Sequence, residues 1–330
     1  MMRRFAPAVT LLLLLPMAAR AEWHSREAAV MGTRIAVEVW DSDPTAAAAS
    51  IEAVFAELRR IDALMSHYKP ESQLSRINRE AAGTPVPVDR ELAALIARAL
   101  EFSAMTDGAF DISYASVGYL YEYRERRRPS EPEILAALPA VNWRLIEVDL
   151  EASTVRFHKD GMRIDLGGIA KGYAVDQGIA ILRGRGITHG SITAGGDGRI
   201  LGDRRGRPWV VGIRHPDDAG RVIARIPLED AAISTSGDYE RYFDEGGVRY
   251  HHIINPRTGR SATGVRSVTV IGPEAILTDG LSTSLFVLGP ERGLAVIDGL
   301  DDVDAVIVRD DGRVFYSRGL APPELPAGQR

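Results

Sequence analysis

The chain of 330 residues contains no cysteine. No disulfide can form, and no lipid can be attached through a cysteine at a processed N-terminus. An excess of positive charge is also missing. Lys and Arg number 40 against 45 Asp and Glu, a formal charge of −5, which argues against nucleic acid as a partner. No His/Cys grouping has zinc spacing, and neither a Walker loop nor a G-x-G-x-x-G fingerprint occurs. No low-complexity linker separates two halves, and no short-period repeat is visible. The apolar run Val9–Leu15 is too short to span a bilayer.

That run has another reading. Arg3 and Arg4 precede it and the small-x-small triplet Ala19-Arg20-Ala21 follows, the order of a secretory signal peptide over residues 1–21. Cleavage there removes three arginines and no acid, so residues 22–330 carry a formal charge of −8. The expectation is a soluble periplasmic protein, folded without covalent staples as one domain over 22–330. With 45% apolar and 26% charged residues, that length suffices for a large core.

Periodicity supplies the elements. Ile35, Val37 and Val39 alternate with Ala36, Glu38 and Trp40 as in a half-buried strand over 34–40. Ile51, Val54, Phe55, Leu58, Ile61, Leu64 and Met65 follow helical steps within 45–65, and Leu92, Leu95, Ile96, Ala99 and Leu100 repeat the pattern. The charged stretch 122–133 reads as a solvated loop. Beyond it, strands are expected at about 145–148, 154–157, 187–193, 209–213, 222–227, 232–236 and 249–254. Helices are expected near 169–182 and 274–288, and a terminal hairpin over 303–316 turns at Asp310-Asp311-Gly312. Runs of strands with helices between them indicate an α+β architecture.

Three stretches could carry chemistry. In Arg163-Ile-Asp-Leu-Gly-Gly-Ile-Ala-Lys171, the residues Met162, Ile164 and Leu166 would form one face of a strand and Asp165 the other. Gly167 and Gly168 then fall where a helix begins, a corner whose free N–H groups and dipole receive anions. Lys171 is electrostatically misplaced in a first helical turn unless an anion stands beside it. The plain alternative is a tight corner with a surface lysine. In Thr278-Asp-Gly-Leu-Ser-Thr283, Asp279, Ser282 and Thr283 share a helix face. One carboxylate and two hydroxyls suit Mg²⁺, although helix capping is the commoner use of such residues. In Tyr250-His-His-Ile-Ile-Asn255, adjacent histidines on a strand face opposite ways, so at most one serves a given site. His252 would share a face with Tyr250 and Ile254 and could act as a general base, or simply as a structural hydrogen-bonding residue.

The order of the motifs is more specific than any one of them. M-G-T at Met31, G-A-F-D at Gly108, D-L-G-G-I-A-K-G at Asp165, A-G-G-D at Ala194, S-T-S-G-D-Y at Ser234, H-H-I-I-N-P-R-T-G at His251 and T-D-G-L-S-T at Thr278 together resemble the ApbE family, Mg²⁺-dependent FAD:protein FMN transferases. The resemblance implies a T-fold-like α+β architecture with intertwined halves. It implies FAD contacts at Met31, Tyr68, Ala109, Phe110, Asp111, Asp165, Lys171 and Ile254. Metal positions would be Gly168 (through its carbonyl), Asp279, Ser282 and Thr283, with His252 as the base. Ser282 departs from members that carry a second aspartate there, and the lipobox cysteine of some relatives is missing. The implied reaction moves the FMN part of FAD onto a Thr or Ser hydroxyl of an acceptor protein, a subunit of a membrane redox complex, and releases AMP. Two alternatives stand beside it: a Mg²⁺-dependent FAD pyrophosphatase, and a periplasmic flavin-binding protein without turnover.

Overall fold

A computed structural model describes residues 21–216 and 218–320. The expected signal peptide lies outside the described residues except for Ala21. The centre of the fold is an antiparallel sheet of eight strands, β1 Glu22–Val30, β2 Thr33–Asp41, β3 Gly190–Ala194, β4 Asp197–Leu201, β5 Ala232–Gly237, β6 Val265–Gly272, β7 Asp304–Arg309 and β8 Val314–Tyr316. Sheet order follows chain order, and every neighbouring pair is antiparallel. The meander is therefore simple, and the complexity lies in what is inserted between its strands. The fold class is α+β, as expected.

Helices α1 Pro44–Met65, α2 Arg90–Met105 and α3 Ala170–Gly184 lie in the insertion between β2 and β3, and α4 Ala275–Ile297 joins β6 to β7. α1, α3 and α4 cover one face of the sheet side by side, α1 over β1 and β2, α3 over β3 and β4, α4 over β5 to β7. The helical spacing explains why. Ala47, Ile51, Val54, Phe55, Leu58, Ile61 and Met65 form one stripe of α1, and all are buried. Each such Ile, Leu or Phe contributes about 1.5–3 kcal/mol by leaving water. Asp43 starts the helix by accepting from Thr45 N (2.8 Å) and Ala46 N (3.2 Å). α4 breaks at Gly289 (φ +77°), before Pro290, close to the helix end expected at Leu288. On the far face, the hairpin of strands Trp209–His215 and Asp218–Leu228 packs Trp209 against Trp23, Ile200 and Ile271.

Several local expectations are corrected. The 122–133 stretch is not all loop: a helix, Glu131–Ala137, begins inside it, started by a reciprocal Ser130/Glu133 capping box. Residues 162–166 form no strand. Met162, Ile164 and Leu166 are buried, yet their backbone leaves the sheet. Its ladder bonds are replaced by the Asn78 amide, which accepts from Ile164 N (2.7 Å) and donates to Ile164 O (2.9 Å). The strand expected over 249–254 stops at His251, so His252 no longer shares a strand face with Tyr250 and Ile254. The sequence reading does not contain the strands Glu22–Val30, Asp197–Leu201, Tyr242–Glu245 and Val265–Gly272 or the helix Gln73–Glu80.

Candidate active site

The site is built where α3 and α4 begin. Their first turns approach so closely that a Cβ on Gly172 would stand 2.2 Å from Ala275 O and 2.8 Å from Asp279 Cβ. Only glycine allows that approach. Two aspartates then cross between the helices. Asp176 of α3 accepts from the N–H groups of Ala275 (3.0 Å) and Ile276 (2.8 Å), first-turn donors of α4 with no partner within their own helix. In return, Asp279 Oδ2 of α4 accepts from Gly172 N (2.9 Å), an orphan donor of α3. Asp279 is thus a cap, but of a neighbouring helix.

Lys171 completes this corner. Its Nζ donates to Gly167 O (3.0 Å) and Asp197 Oδ2 (2.9 Å) and stands 3.4 Å from Asp279 Oδ1. The surface-lysine reading is therefore excluded, and the misplaced charge has its explanation in two buried carboxylates. Burial alone would lower the Lys171 pKa, but Asp197 and Asp279 outweigh it and hold the ammonium ion well above its ordinary range. Burial and then Asp197 push the Asp279 carboxyl up to about 7, against the pull of Lys171 and the Gly172 N–H. One lysine facing two buried acids leaves a net negative charge.

The glycine elbow meets the same helix. A Cβ on Gly168 would lie 3.2 Å from Phe110 Cε2 and 3.4 Å from Thr283 Oγ1, so Gly168, Thr283 and Phe110 are immediate neighbours. Ser236 on β5 lies 2.8 Å from Ser282 Oγ and 3.4 Å from Thr283 Oγ1. Ser282 also donates to Asp279 O (3.0 Å), so its hydroxyl is held between strand and helix, while Thr283 is the more exposed of the two. Among the described residues, no three His, Asp or Glu side chains gather at ligating distance. The available donors are instead one carboxylate, hydroxyls and main-chain carbonyls, the hard oxygen set that suits Mg²⁺. On donor chemistry, the residues fit that ion.

The two histidines differ in what holds them. His251 is structural: its Nε2 lies 2.8 Å from Ala262 O, and its Nδ1 accepts from Ile253 N (3.3 Å). His252 Nδ1 is buried with no hydrogen-bond partner among the described residues. Burial, then the charges of Arg241, His251 and Lys171, depress its pKa to about 3, so the imidazole is neutral and holds a proton weakly.

The sequence profile of the ApbE family matches residues 31–307. The chain belongs to the ApbE family. A curated relative from Treponema pallidum, named FAD:protein FMN transferase, is 35% identical over 92% of this chain and 89% of its own. Among solved structures, the ApbE protein of Thermotoga maritima superposes with a TM-score of 0.83 at 35% identity, covering 90% of this chain and 98% of that one. The flavin transferase ApbE of Vibrio cholerae gives 0.81 at 30% identity, over 91% and 98%.

With the ApbE fold in place, the remaining expected residues can be located. Asp165 is buried, and its carboxylate is fully engaged. Oδ2 takes His67 Nδ1 (2.6 Å) and Tyr119 OH (3.2 Å), and Oδ1 takes Gly167 N (2.6 Å). Burial raises its pKa, but His67 and these hydrogen bonds outweigh burial and hold it below the ordinary value. Asp165 therefore shapes the elbow and anchors an aromatic shelf, in which the His67 ring lies tilted by 39° against Tyr68 (3.8 Å between centroids) and 4.7 Å from Tyr119. Tyr68 is 72% exposed, an open ring face. Met31 occupies the left-handed region (φ +54°) in the two-residue β1–β2 turn, and Gly32 beside it faces the Arg241 guanidinium.

Asp111 is occupied structurally, accepting from Ser113 N and Oγ and from Trp143 N; Ala109 and Phe110 are buried as well, and their N–H groups donate to Thr106 O (3.1 Å) and Thr106 Oγ1 (3.0 Å). The Ile254 side chain is not in this corner. It packs with Val117, Tyr121 and Ile134 in a separate cluster. Two open depressions elsewhere, one lined by Pro290, Leu294 and Phe315 and the other by Leu120, Ala137 and Lys159, contain none of these residues. Sequence reasoning missed His67, Asp176, Asp197, Ser236 and Arg241. Asp197 and Ser236 stand inside quoted motifs, but nothing in spacing reveals their partners.

Proposed function

We propose that this chain is a Mg²⁺-dependent FAD:protein FMN transferase that moves FMN onto a Thr or Ser hydroxyl of an acceptor protein and releases AMP. The family places it among transferases acting on flavin. The observation that carries the finer reading is the meeting of the Gly168 elbow with Asp279 and Thr283 beside the Lys171 ammonium group. A hard cation and a dinucleotide's diphosphate need such a corner: oxygen donors next to fixed positive charge.

Each residue then has a task. Gly168, Asp279 and Thr283 would hold the ion. It would neutralise phosphate charge and polarise the phosphoryl group. Lys171 faces the diphosphate from the first turn of α3, whose N–H groups and dipole favour anions. Tyr68 offers its exposed ring to a flat ligand such as the isoalloxazine. The acceptor hydroxyl oxygen attacks the FMN-side phosphorus. The phosphorus–oxygen bond to AMP breaks, and AMP leaves with the bridging oxygen. His252 takes the hydroxyl proton at a ring nitrogen. Its depressed pKa limits it as a base in the empty protein, but a bound diphosphate offsets the Lys171 and Arg241 charges that contribute to the depression. The acceptor is proposed to be a subunit of a membrane redox complex, met in the periplasm after export.

Incubating the purified protein with FAD, Mg²⁺ and an acceptor peptide tests this directly. Covalent FMN on the acceptor supports the transferase. Free FMN without acceptor labelling would make the protein a hydrolase, and unchanged FAD a binder. Replacing His252 by Ala should slow transfer by about 10²–10⁴-fold while leaving FAD affinity within a few-fold. Lost affinity at unchanged rate would move His252 from proton transfer to binding.

A further inference from the structure

The arrangement around Lys171 points beyond a simple phosphate contact. Its ammonium group sits where oxygen donors converge: Gly167 O at 3.0 Å, Asp197 Oδ2 at 2.9 Å, and the two Asp279 oxygens at 3.4 and 3.5 Å. These are the surroundings a cation seeks. The bond to Asp197 is a close hydrogen bond, whereas the approach to Asp279 is at the outer limit of one. Asp279 is also the carboxylate expected to bind the divalent ion. Two cations cannot share one buried carboxylate without repulsion at short range.

We propose that Lys171 is an internal placeholder for the divalent ion, retained by Asp197, and that its release from Asp279 couples ion binding to dinucleotide binding. Without ligands, the ammonium group stands beside Asp279, matches part of its charge and competes with the incoming ion. A bound diphosphate draws the same ammonium group toward its own oxygens, which frees Asp279. Asp197, 4% exposed on β4, keeps one hydrogen bond to Lys171 and acts as a positioning residue. Ion and FAD therefore bind with positive cooperativity, and by linkage each strengthens the other equally. No covalent step is involved. The inference rests on the reading that this corner takes both a divalent ion and FAD.

The test is a binding cycle without acceptor. FAD affinity is read by flavin fluorescence with and without Mg²⁺, and Mn²⁺ affinity is read from the EPR signal of the free ion without FAD. Wild type should bind FAD at least about tenfold more tightly with Mg²⁺, within the usual range of coupling between sites. In Lys171→Met, Mn²⁺ alone should bind more tightly than in wild type, and the Mg²⁺ effect on FAD should fall by about threefold or more, leaving the part that comes from the ion's own attraction to the phosphates. Lys171→Gln, which retains a donor for Gly167 O, should behave alike and guards against misfolding of the methionine variant. Tm shifts with Mg²⁺ alone should be larger in both variants than in wild type. Unchanged or weaker Mn²⁺ binding in the variants, or an undiminished Mg²⁺ effect on FAD, overturns the placeholder while leaving the transferase reading intact. Wild-type protein that binds neither FAD nor Mn²⁺ removes both.

Discussion

Asp176 and Asp279 make the same connection in opposite directions. Each lies four residues beyond the point where α3 and α4 touch, Gly172 and Ala275, and each accepts main-chain N–H groups of the other helix. Their surroundings differ. Asp176 takes two N–H donors and the Arg199 guanidinium, so its negative charge is matched within the fold. Asp279 takes one N–H donor and a distant ammonium group, with a second buried carboxylate beside it. A carboxylate that is fully satisfied belongs to the scaffold. One left short of positive charge, next to a glycine elbow and the Thr283 hydroxyl, is the one that the proposed reading assigns to a cation.

That contrast can be broken experimentally. The largest effect is expected for Asp279→Asn, which keeps an acceptor for Gly172 N but loses the charge. Metal-dependent transfer should fall by at least about 10²-fold, with circular dichroism and Tm little changed. Undiminished turnover would remove Asp279 from the site. Asp176→Asn should do the reverse and cost about 2–4 kcal/mol of stability in a denaturant titration, because it strands Arg199 and weakens two caps. Turnover per folded molecule should fall much less. Equal effects on both properties in both variants would erase the distinction.

Gly172→Ala presses on both clasps together. The added methyl group meets Ala275 O, and the overpacking should cost about 1–3 kcal/mol and weaken ion binding, measured by the Mg²⁺-induced shift in Tm. The smallest effect concerns pH. The Asp279 pKa is raised in the folded protein to about 7, so its contribution to stability is fully present below its ordinary value near 4. That contribution is lost as pH rises through 7. Ion-free wild type should therefore lose several degrees of Tm between pH 5 and 8 relative to Asp279→Asn. Parallel curves would mean that the lysine satisfies Asp279 as fully as Arg199 satisfies Asp176.

Much of the frame was legible from residues alone. The stripe from Ala47 to Met65 could only be an amphipathic helix, and the alternation from Ile35 to Val39 only a half-buried strand, because each is a local period. The Met162–Leu166 stretch shows the limit of that method. Its alternation is real and its apolar residues are buried, but Asn78, more than eighty residues earlier, takes the place of a neighbouring strand. The pattern records which side chains go inside and says nothing about who satisfies the backbone. His251 and His252 illustrate the same point at the site: their adjacency leaves open which of them serves it, and the Ala262 carbonyl is what makes His251 structural.

The amino-acid sequence by itself determined the α+β class, the main helices, the glycine corner and the short roster of acids, hydroxyls and histidines from which a site could be drawn. Tertiary structure decided which of them meet. Asp197 reached Lys171, His67 reached Asp165, and Asp176 and Asp279 exchanged helix ends across about a hundred residues of chain. The reason is physical: periodicity and turn chemistry are properties of neighbours along the chain, whereas a carboxylate's charge balance depends on partners that only packing brings within hydrogen-bonding distance.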